Sequence, residues 1–384
     1  MPKPKPQPRR LVYGVTVPTS AFSLLRGQLE WMAEQGWDVH LITANGPELA
    51  SLRERPGVTC HVIEMERDPS PVKDLRSLIA WVKLLRQLRP EVINLGTPKA
   101  SLLGGLAAWI TRVPQRIYVV WGLRLEGFTG LKRLVFWLIE AFTMATATGV
   151  LPISDSLARR VRELRLTRAR KVLPLIGSGS SNGVDAPTIQ AGAAGKRALT
   201  RAELGIAEDA FVVGFVGRLV ADKGIPTLIQ ALRDPRLSNV SCLVVGNEEE
   251  GGLADELRTT PVQVVWAGYV EGPWAQLAAM DVLTLPTRRE GFPNVVLEAA
   301  SLGVPTVTTH ATGAIDAVVD NVTGLQVAID DAPALADALV RLRDDPALRA
   351  RLGQAARGRA EEEFAPELVW RGLDALYRSP THAG

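Results

Sequence analysis

The chain has 384 residues, of which 46% are hydrophobic and 22% charged, and this length fits two domains of ordinary size better than one core. Its two cysteines and four histidines have no metal-ligand spacing, which disfavours a disulfide framework or a zinc site and favours a reducing cytoplasm. The first 185 residues carry 26 Lys and Arg against 15 Asp and Glu, and the remainder 18 against 26, so the basic half suggests an anionic surface or ligand, with solvated helix faces as an equal alternative.

Strands and amphipathic helices alternate along the first half of the chain. The strand RLVYGVTV precedes the helical stretch FSLLRGQLEWMAEQG and the strand WDVHLIT. Next come the helix SLIAWVKLLRQLRP, the strand EVINLGT, the helix KASLLGGLAAWITRV and the strand QRIYVVWG. A helix from about Leu131 to Thr146, the strand GVLPIS and the helix DSLARRVRELR follow, with an N-cap signal at Ser154 and Asp155. This alternation predicts right-handed βαβ units on a parallel sheet.

The most lipid-like stretch is LVFWLIEAFTMATATGVLPI, residues 134–153. Because it contains Glu140 and several hydroxyl residues, we interpret it as a buried helix followed by a buried strand, not as a membrane span. The start, MPKPKPQPRR, is basic and proline-rich and lacks the apolar core of a secretory signal.

The alternation breaks at KVLPLIGSGSSNGVD, residues 171–185, where we expect a strand to end in a Gly/Ser/Asn cluster. We place the crossing between domains here, which gives a first domain of residues 1–185 and a second of residues 186–365. A second series of strands then begins, in FVVGFVGRL, SCLVVGN, VQVVWAGYV, DVLTLPT, VPTVTT and GLQV. The prediction is an α/β fold with two doubly wound domains facing a central cleft. The last helix, in residues 366–380, is expected to pack back onto the first domain.

The glycines of GSGSSNG do not form a dinucleotide-binding fingerprint. Gly177, Gly179 and Gly183 have the wrong spacing and open onto VDAPT instead of a helix, and the chain contains no GxxxxGK[ST] sequence. Hydride transfer and P-loop chemistry are therefore disfavoured.

Two glutamates eight residues apart mark the stretch PTRREGFPNVVLEAASLGVPTV. Glu290 follows a predicted buried strand, at the edge where open α/β sheets bind ligands. The helix NVVLEAASLG comes next, and its N-terminal N–H groups can hold a phosphate. We interpret Glu298 as an acceptor of hydrogen bonds from a ribose diol and Glu290 as an acceptor from a second ring beyond the phosphates. On spacing alone, a capping acid and an exposed helix glutamate explain the pair better.

The stretch GFVGRLVADKG supplies two cations beside a glycine turn. Arg218 follows Gly217 at the end of a predicted strand, and Lys223 lies five residues later. At the same sheet edge, two cations can neutralise a departing diphosphate. Alone they would be ordinary surface cations, but together with the two glutamates they predict a site for an anionic leaving group.

The segments GRLVADKG, VVGNEEEGG, VVWAGYVEG and PTRREGFPNVVLEAASLGVPTVTT resemble the donor half of retaining glycosyltransferases with the GT-B fold, in family four and of the paired-glutamate EX7E type. The resemblance implies that Arg218 and Lys223 contact the diphosphate, that Glu298 binds the ribose and that Glu290 binds the donor sugar. Arg218, Lys223 and Glu290 are then the catalytic residues. It also implies backbone contacts to phosphate and sugar after Glu290, and a frame for the base after the third strand of this domain. The implied donor-binding residues are Gly217, Arg218, Lys223, Gly268, Tyr269, Val270, Glu290, Gly291, Phe292, Pro293, Asn294, Val295 and Glu298.

The first half, with NLGTPKASLLGGLAAWITRVPQRIYVVWGLRLEGFTG and PISDSLARRV, resembles a subgroup that extends capsular, O-antigen or N-glycan precursors on polyprenyl-diphosphate carriers. TGAIDAVVDNVTGLQV is also typical of this subgroup, with Asp316 where many relatives have glutamate. Many relatives carry a histidine after the strand corresponding to RIYVVWG, whereas this chain has Gly122 or Arg124 there, which disfavours a histidine-based mechanism. Arg124 is a candidate contact to a phosphate, with a plain surface arginine as the alternative. The acceptor-side candidates are Thr19, Ser20, Thr97, Lys99 and Arg124.

The expected activity is metal-independent and cofactor-independent transfer of a hexose or N-acetylhexosamine, with retention, from a UDP-linked sugar to a lipid-linked saccharide. A nucleotide-sugar epimerase, a phosphorylase of the same fold and a non-catalytic nucleotide-sugar binder remain open, and no nucleic acid is expected as a partner. The basic run ARRVRELRLTRARK, with Lys132 and Arg133, can rest on anionic lipid. A solvated helix face is the alternative. With the subgroup resemblance, this favours a cytoplasmic enzyme in peripheral contact with the inner face of the membrane.

Overall fold

The computed structural model describes residues 9–66 and 70–379, so most of the proline-rich start lies outside the described residues. These residues divide into two compact units. The first unit comprises the described residues up to Asn182 and those from Pro366 onward, and the second comprises Gly183–Ala365. The division after Asn182 falls inside the segment where the sequence places the crossing between domains.

Each unit contains a six-stranded parallel sheet. The strands are β1 (Arg10–Gly14), β2 (Asp38–Thr43), β3 (Val58–Val62), β4 (Val92–Leu95), β5 (Gln115–Val120), β6 (Gly149–Pro152), β7 (Phe211–Val216), β8 (Val240–Val245), β9 (Gln263–Gly268), β10 (Val282–Leu285), β11 (Thr306–Thr309) and β12 (Gly324–Val327). The strand order is β3-β2-β1-β4-β5-β6 in the first unit and β12-β11-β10-β7-β8-β9 in the second. In both sheets the first and fourth strands are neighbours, which is the doubly wound arrangement with its switch point between them.

Seventeen α-helices connect or cover these strands in the described residues. They are α1 (Pro18–Leu24), α2 (Gln28–Glu34), α3 (Leu49–Arg53), α4 (Pro71–Leu88), α5 (Pro98–Ile110), α6 (Gly130–Thr146), α7 (Asp155–Glu163), α8 (Ala186–Ala193), α9 (Arg197–Glu203), α10 (Ile225–Leu232), α11 (Leu253–Arg258), α12 (Trp274–Ala279), α13 (Asn294–Ser301), α14 (Ala314–Ala317), α15 (Ala332–Asp344), α16 (Pro346–Glu363) and α17 (Pro366–Arg378).

The central strands of the second unit are continuous apolar runs because helices cover both faces of the sheet. β8, VSCLVV, is buried along its whole length, and Phe215 of β7 is fully buried beside it. The predicted N-cap at Ser154 is confirmed, since its Oγ accepts a hydrogen bond from the N–H of Leu157 at 3.3 Å. Such a cap stabilises a helix by about 1 kcal/mol.

Two local expectations are wrong, and one strand was not predicted. The helical stretch of residues 22–36 is two helices, because Gly27 between them has φ +74° and a Cβ there would lie 2.8 Å from the ring of Trp370. KVLPLI forms no strand and makes only a single bridge, between Val150 and Val172. The edge strand β3, VTCHV, was not predicted, because its side chains are half-buried or exposed and form no apolar pattern.

The expectation of a buried helix in residues 134–146 is also wrong. α6 is buried on one side only, and Leu131, Leu134, Val135, Leu138, Ile139 and Phe142 are exposed on the other. Hydropathy shows that a helix is apolar but not which side it turns to the sheet. Among residues 9–66 and 70–379, no helix is both long enough and apolar enough to cross a membrane.

The last helix, α17, belongs to the first unit. Trp37 Nε1 donates to Asp374 Oδ1 at 2.7 Å, and Gln115 Nε2 donates to the carbonyl of Leu376 at 2.9 Å. Tyr377 is fully buried, and its hydroxyl accepts a hydrogen bond from the side-chain amide of Asn94 in β4. α17 therefore forms part of the core of the first unit, although it is far from that unit in sequence.

Candidate active site

The candidate site is built on the loops that follow β7 and β10, at the switch point of the second sheet. These strands pair in parallel, with Val213 opposite Val282 and Gly214 opposite Leu283, so their carboxyl ends lie side by side. Gly224, after β7, has φ +76°, and a Cβ there would lie 1.8 Å from the carbonyl oxygen of Pro286. Only glycine allows this approach, which holds the two loops together.

Charged side chains join the same two loops. Lys223 Nζ donates to Glu290 Oε1, and both side chains are largely buried. Next to them, Arg289 Nη2 donates to Asp222 Oδ2 at 2.6 Å, while the backbone N–H of Arg288 donates to the Asp222 carbonyl at 2.9 Å. Because partial burial weakens screening by water, these contacts fix Lys223 and Glu290 relative to one another. The resemblance placed Lys223 and Glu290 in the site but did not predict that an ion pair between Asp222 and Arg289 stabilises the two loops.

The loop after Glu290 leads directly into α13. Phe292 is 7% exposed, and its ring lies 5.4 Å from that of Phe364. Pro293 is the N-cap of α13, and it cannot cap the helix with a side-chain hydrogen bond. The first N–H groups of a helix have no partner within it, and they carry the positive end of the helix dipole. The amides of Asn294 and Val295, in the first turn of α13, therefore follow the Glu290 loop directly, in a position suited to an anion.

A third loop, after β11, contacts the loop that contains Glu290. The N–H of Glu290 donates to the carbonyl of Thr312 at 2.8 Å. Gly313 has φ +77°, and a Cβ there would lie 2.3 Å from the carbonyl oxygen of Gly291. Sequence reasoning noted TGAID as typical of the subgroup but gave Gly313 no role. The signal that could have found it is a glycine just before a short helix at a third strand end on the same sheet edge.

Arg218 lies in a separate ion pair. Its Nη1 donates to Glu249 Oε2 at 2.6 Å, and its side chain is 58% exposed. Gly217 just before it has φ +152°, and the N–H of Gly217 donates to the carbonyl of Val245 at 2.9 Å. A Cβ at Gly246 would lie 1.9 Å from the Gly217 carbonyl. Arg218 is thus anchored to the loop after β8 and Lys223 to the loop after β10, so each predicted cation has its own carboxylate partner.

The remaining donor-side candidates lie on β9 and on α13. Gly268 ends β9, and its carbonyl accepts from the N–H of Gly246 at 2.8 Å, while Tyr269 after it is exposed. Val270 follows and is half-buried. Glu298 is half-buried in α13, one turn after Asn294 and on the same face of the helix. All of these positions except Glu298 are at the carboxyl-end edge of the second sheet.

The acceptor-side candidates belong to the first unit, where they contact other residues of that unit. The Oγ1 of Thr97 accepts from the N–H of Thr16 at 2.7 Å, which joins the loops after β1 and β4 at the switch point of the first sheet. Lys99 Nζ lies 2.8 Å from Asp74 Oδ1. The contacts of the other candidates are a hydrogen bond from Thr19 to Glu48 at 2.9 Å, one from the N–H of Ser20 to Val17 at 3.1 Å, and the guanidinium of Arg124 5.2 Å from the ring centroid of Phe136.

Metal-binding side chains do not gather in the part of the chain that the structure describes. No group of three or more His, Cys, Asp or Glu residues there could hold a metal ion.

Comparison with known proteins identifies the family. Residues 24–175 match the Glycosyl transferase 4-like domain, and residues 196–359 match Glycosyl transferases group 1. The capsular polysaccharide biosynthesis glycosyltransferase CapM of Staphylococcus aureus is 37% identical over 377 residues, which cover 97% of each chain. The chain belongs to the group 1 glycosyltransferases. Both units of this glycosyltransferase share the likeness, and the predicted family is confirmed.

More distant relatives agree on the fold. An Escherichia coli UDP-Gal:alpha-D-GlcNAc-diphosphoundecaprenol alpha-1,3-galactosyltransferase is 25% identical over 334 residues, which cover 84% of each chain. The crystal structure of Anabaena HepE in complex with UDP-glucose superposes with a TM-score of 0.79 at 20% identity, covering 96% of this chain and 99% of the other. WaaG, a glycosyltransferase involved in lipopolysaccharide biosynthesis, gives 0.72 at 18% identity, with 97% and 100% covered. The predicted fold class, GT-B with two Rossmann-like units, is confirmed.

Proposed function

We propose that this glycosyltransferase transfers a hexose or N-acetylhexosamine from a UDP-sugar to a lipid-linked saccharide, with retention of the anomeric configuration, in the synthesis of a capsule or a related surface polysaccharide. The observation that carries the proposal is the junction at the second switch point, where Lys223, Glu290 and the start of α13 lie on two joined loops. Open α/β sheets bind their ligands at this position.

The relatives support the substrate classes. The E. coli relative uses a UDP-linked galactose donor and a diphosphoundecaprenol-linked acceptor, and HepE binds UDP-glucose. CapM, the relative at 37% identity, acts in capsular polysaccharide biosynthesis. Together these relatives favour a UDP-sugar donor and a lipid-linked acceptor for this enzyme.

The chemistry follows from where charge develops. As the bond between the sugar and the diphosphate stretches, negative charge accumulates on the departing phosphate. Lys223 and the amides at the start of α13 stabilise this charge more strongly in the transition state than in the ground state, which lowers the barrier. Arg218 adds a second cation from the loop after β8. Glu290 accepts a hydrogen bond from a sugar hydroxyl, and Glu298 accepts one from the ribose.

The cations supply the charge stabilisation that a metal ion provides in other transferases, so we propose metal-independent turnover. Activity in the presence of a chelator such as EDTA tests this directly. Full activity is the expected result, and loss of activity that added Mg²⁺ or Mn²⁺ restores would overturn the proposal.

The decisive experiment is a panel of UDP-, GDP- and ADP-sugars, each incubated with polyprenyl-diphosphate acceptors, in which released nucleotide and product mass are measured. We expect UDP release that depends on the acceptor and a product heavier by one glycosyl residue. An isomerised UDP-sugar without acceptor would indicate an epimerase instead, and cleavage that requires inorganic phosphate would indicate a phosphorylase. Calorimetric binding of the donor without turnover would indicate a non-catalytic binder.

A lipid-linked acceptor also determines where the enzyme acts. A UDP-sugar is a water-soluble donor, whereas a polyprenyl carrier stays in the bilayer. We therefore place the enzyme in the cytoplasm, in peripheral contact with the inner face of the membrane. Cell fractionation tests this placement, because the enzyme should sediment with membranes at low salt.

A further inference from the structure

α6 presents its apolar side to the outside of the protein. Its exposed large side chains recur at helical spacing and form one stripe along the helix, made of Leu131, Leu134, Val135, Leu138, Ile139 and Phe142. Its buried side contains one large apolar residue, Met144, with Thr143, Thr146 and Glu140. Glu140 is 7% exposed and accepts a hydrogen bond from the hydroxyl of Tyr118 at 2.5 Å. This is the reverse of an ordinary surface helix, which buries its apolar stripe.

Exposed apolar side chains also occur on the two preceding helices of the same sheet face. α4, α5 and α6 connect β3 to β4, β4 to β5 and β5 to β6, and right-handed crossovers of this kind lie on one face of the sheet. α5 packs against both of its neighbours. α4 exposes Val72, Leu75 and Ile79, and α5 exposes Trp109 and Ile110. We call the outer faces of α4, α5 and α6 the apolar layer.

The apolar layer holds most of the large exposed apolar residues of the molecule. Of the 18 such side chains in the described residues, 11 lie on these three helices. Single exposed apolar residues are normal on any protein, but six on one side of α6, with five more on the two preceding helices, mark an interaction surface.

The charges on the three helices of the apolar layer are mostly positive. α4, α5 and α6 together carry seven Lys and Arg but only two carboxylates, Asp74 and Glu140. Asp74 is paired with Lys99, and Glu140 is buried. The exposed cations are Lys73, Arg76, Lys83 and Arg86 on α4 and Lys132 on α6, of which Lys73 is paired with Glu66. An apolar surface bordered by exposed cations, with both of its carboxylates paired or buried, matches an anionic lipid headgroup layer over an acyl interior.

Cations are also fixed at the start of α6. Lys132 Nζ lies 4.3 Å from the ring centroid of Phe128, and the Arg124 guanidinium lies 5.2 Å from that of Phe136. The two rings stack at 4.5 Å. Aromatic rings with cations next to them, beside an apolar stripe, suit the boundary between headgroups and acyl chains. There the rings can contact the acyl chains while the cations contact the hydrated headgroups.

We propose that the apolar layer is the surface by which this enzyme docks in the plane of an anionic bilayer, with the stripe of α6 inserted below the headgroups. The proposal rests on the proposed function, because a lipid-linked acceptor requires such contact. It adds the apolar layer to the basic run of residues 158–171, whose arginines at 159, 162, 165, 168 and 170 are exposed. Within that run, Lys171 donates to the carbonyls of Ala145 and Ala147 at 2.8 Å, and Arg160 pairs with Glu126 at 2.9 Å, so both cations have structural roles.

Co-sedimentation of the full chain with phosphatidylcholine vesicles, prepared with and without anionic phosphatidylglycerol, tests the proposal, because anionic lipid attracts basic segments. The test variant is Leu134→Gln with Leu138→Gln, and the matched control is Leu199→Gln, an equally exposed leucine on α9 in the other unit. We expect wild-type enzyme to bind the anionic vesicles, the double variant to bind at least about tenfold more weakly as apolar area is lost, and the control to bind like wild type. Lys132→Gln should weaken binding less, and only at low salt.

Two results would overturn the proposal. One is equal vesicle binding by wild type and the Leu134/Leu138 variant, which includes the case in which neither binds. The other is a wild-type dimer in light scattering that this variant converts to a monomer, without vesicle binding by either, which would make the apolar layer a contact between two copies of the chain. Because the substitutions are on the surface, unchanged thermal unfolding verifies the fold. Calorimetric binding of UDP is measured separately, so a failure of docking is distinguishable from a failure of the donor site.

Discussion

Lys223 Nζ is hydrogen-bonded to Glu290 Oε1, although the two residues are 67 positions apart in the chain. The switch point of the second sheet brings them together, because Lys223 follows β7, Glu290 follows β10, and these strands are neighbours. The residue proposed to meet the leaving group and the residue proposed to bind the sugar therefore position one another.

Lys223→Ala should reduce kcat at least about 10²-fold, the loss typical of removing one group that stabilises transition-state charge, with a smaller change in KM. Initial rates with a UDP-sugar and acceptor measure this. Arg233→Ala is the control, since Arg233 makes an exposed ion pair with Glu256 at 3.4 Å away from the joined loops, and it should leave kcat unchanged. A Lys223→Ala enzyme with normal kcat and raised KM would contradict the assignment.

Glu298→Ala should weaken donor binding more than it slows turnover, because the proposed hydrogen bonds to the ribose exist in both ground and transition states. The loss of a charged hydrogen bond predicts a Kd for UDP about 10-fold higher, measured by calorimetry. Glu362→Ala, at an exposed position on α16, provides the control and should bind UDP normally. If Glu298→Ala instead kept its affinity and lost kcat, the ribose contact would be wrong.

Gly313→Ala should reduce both stability and activity. The new Cβ would lie 2.3 Å from the carbonyl oxygen of Gly291 at a backbone φ of +77°, so the loop that contains Glu290 must shift. Gly358→Ala is the matched control, because Gly358 lies inside α16 with nothing within 4 Å of its Cβ position, and alanine there should stabilise the enzyme by about 0.5–1 kcal/mol. Thermal unfolding and rate measurements on both variants provide the comparison, and a fully active Gly313→Ala enzyme would contradict the packing argument.

Glu140 predicts a pH dependence of stability. Burial raises the pKa of its carboxyl from 4.5 to about 7, although the hydrogen bond from Tyr118 acts in the opposite direction. Between pH 4.5 and pH 7 the Glu140 carboxyl is mostly protonated in the folded chain and mostly ionised in the unfolded one. The contribution of Glu140 to stability is therefore greatest below pH 4.5 and is lost as the pH rises through 7. The full loss amounts to about 3 kcal/mol.

Glu140→Gln should remove this dependence, because a side-chain amide stays neutral and its oxygen can still accept from Tyr118. Urea unfolding at pH 5 and pH 8 should show wild type losing stability relative to the variant as the pH rises. Glu163→Gln changes an exposed glutamate on α7 and should follow wild type. Parallel curves for wild type and Glu140→Gln would show that the carboxyl is not responsible.

The sequence predicts the central strands and the edge strands β6, β9 and β12, but it misses the edge strand β3. β7, β8 and β10 are apolar runs because both faces of their sheet are covered, whereas β3 lies at an edge and its side chains alternate in no clear pattern. The outward side of α6 was missed for a different reason. An apolar helix is normally read as buried, and only the position of the sheet shows that the stripe from Leu131 to Phe142 faces away from it.

In the site, residue types could be predicted but not their partners. The resemblance placed Lys223 and Glu290 in the site, yet the pairing of Arg218 with Glu249 and the brace from Arg289 to Asp222 depend on distances between loops whose strands are far apart in sequence. Strand order sets those distances, and no local pattern encodes it.

The position of α17 has a consequence for how the protein is made. Tyr377 completes a core whose strands are synthesised within the first 152 residues. On the ribosome, the first unit therefore lacks α17 while the whole of the second unit is synthesised. Its core is completed only after residue 378 has emerged. Release of a nascent chain that ends near residue 365 would leave an open apolar groove between α2 and the sheet, a natural target for chaperones.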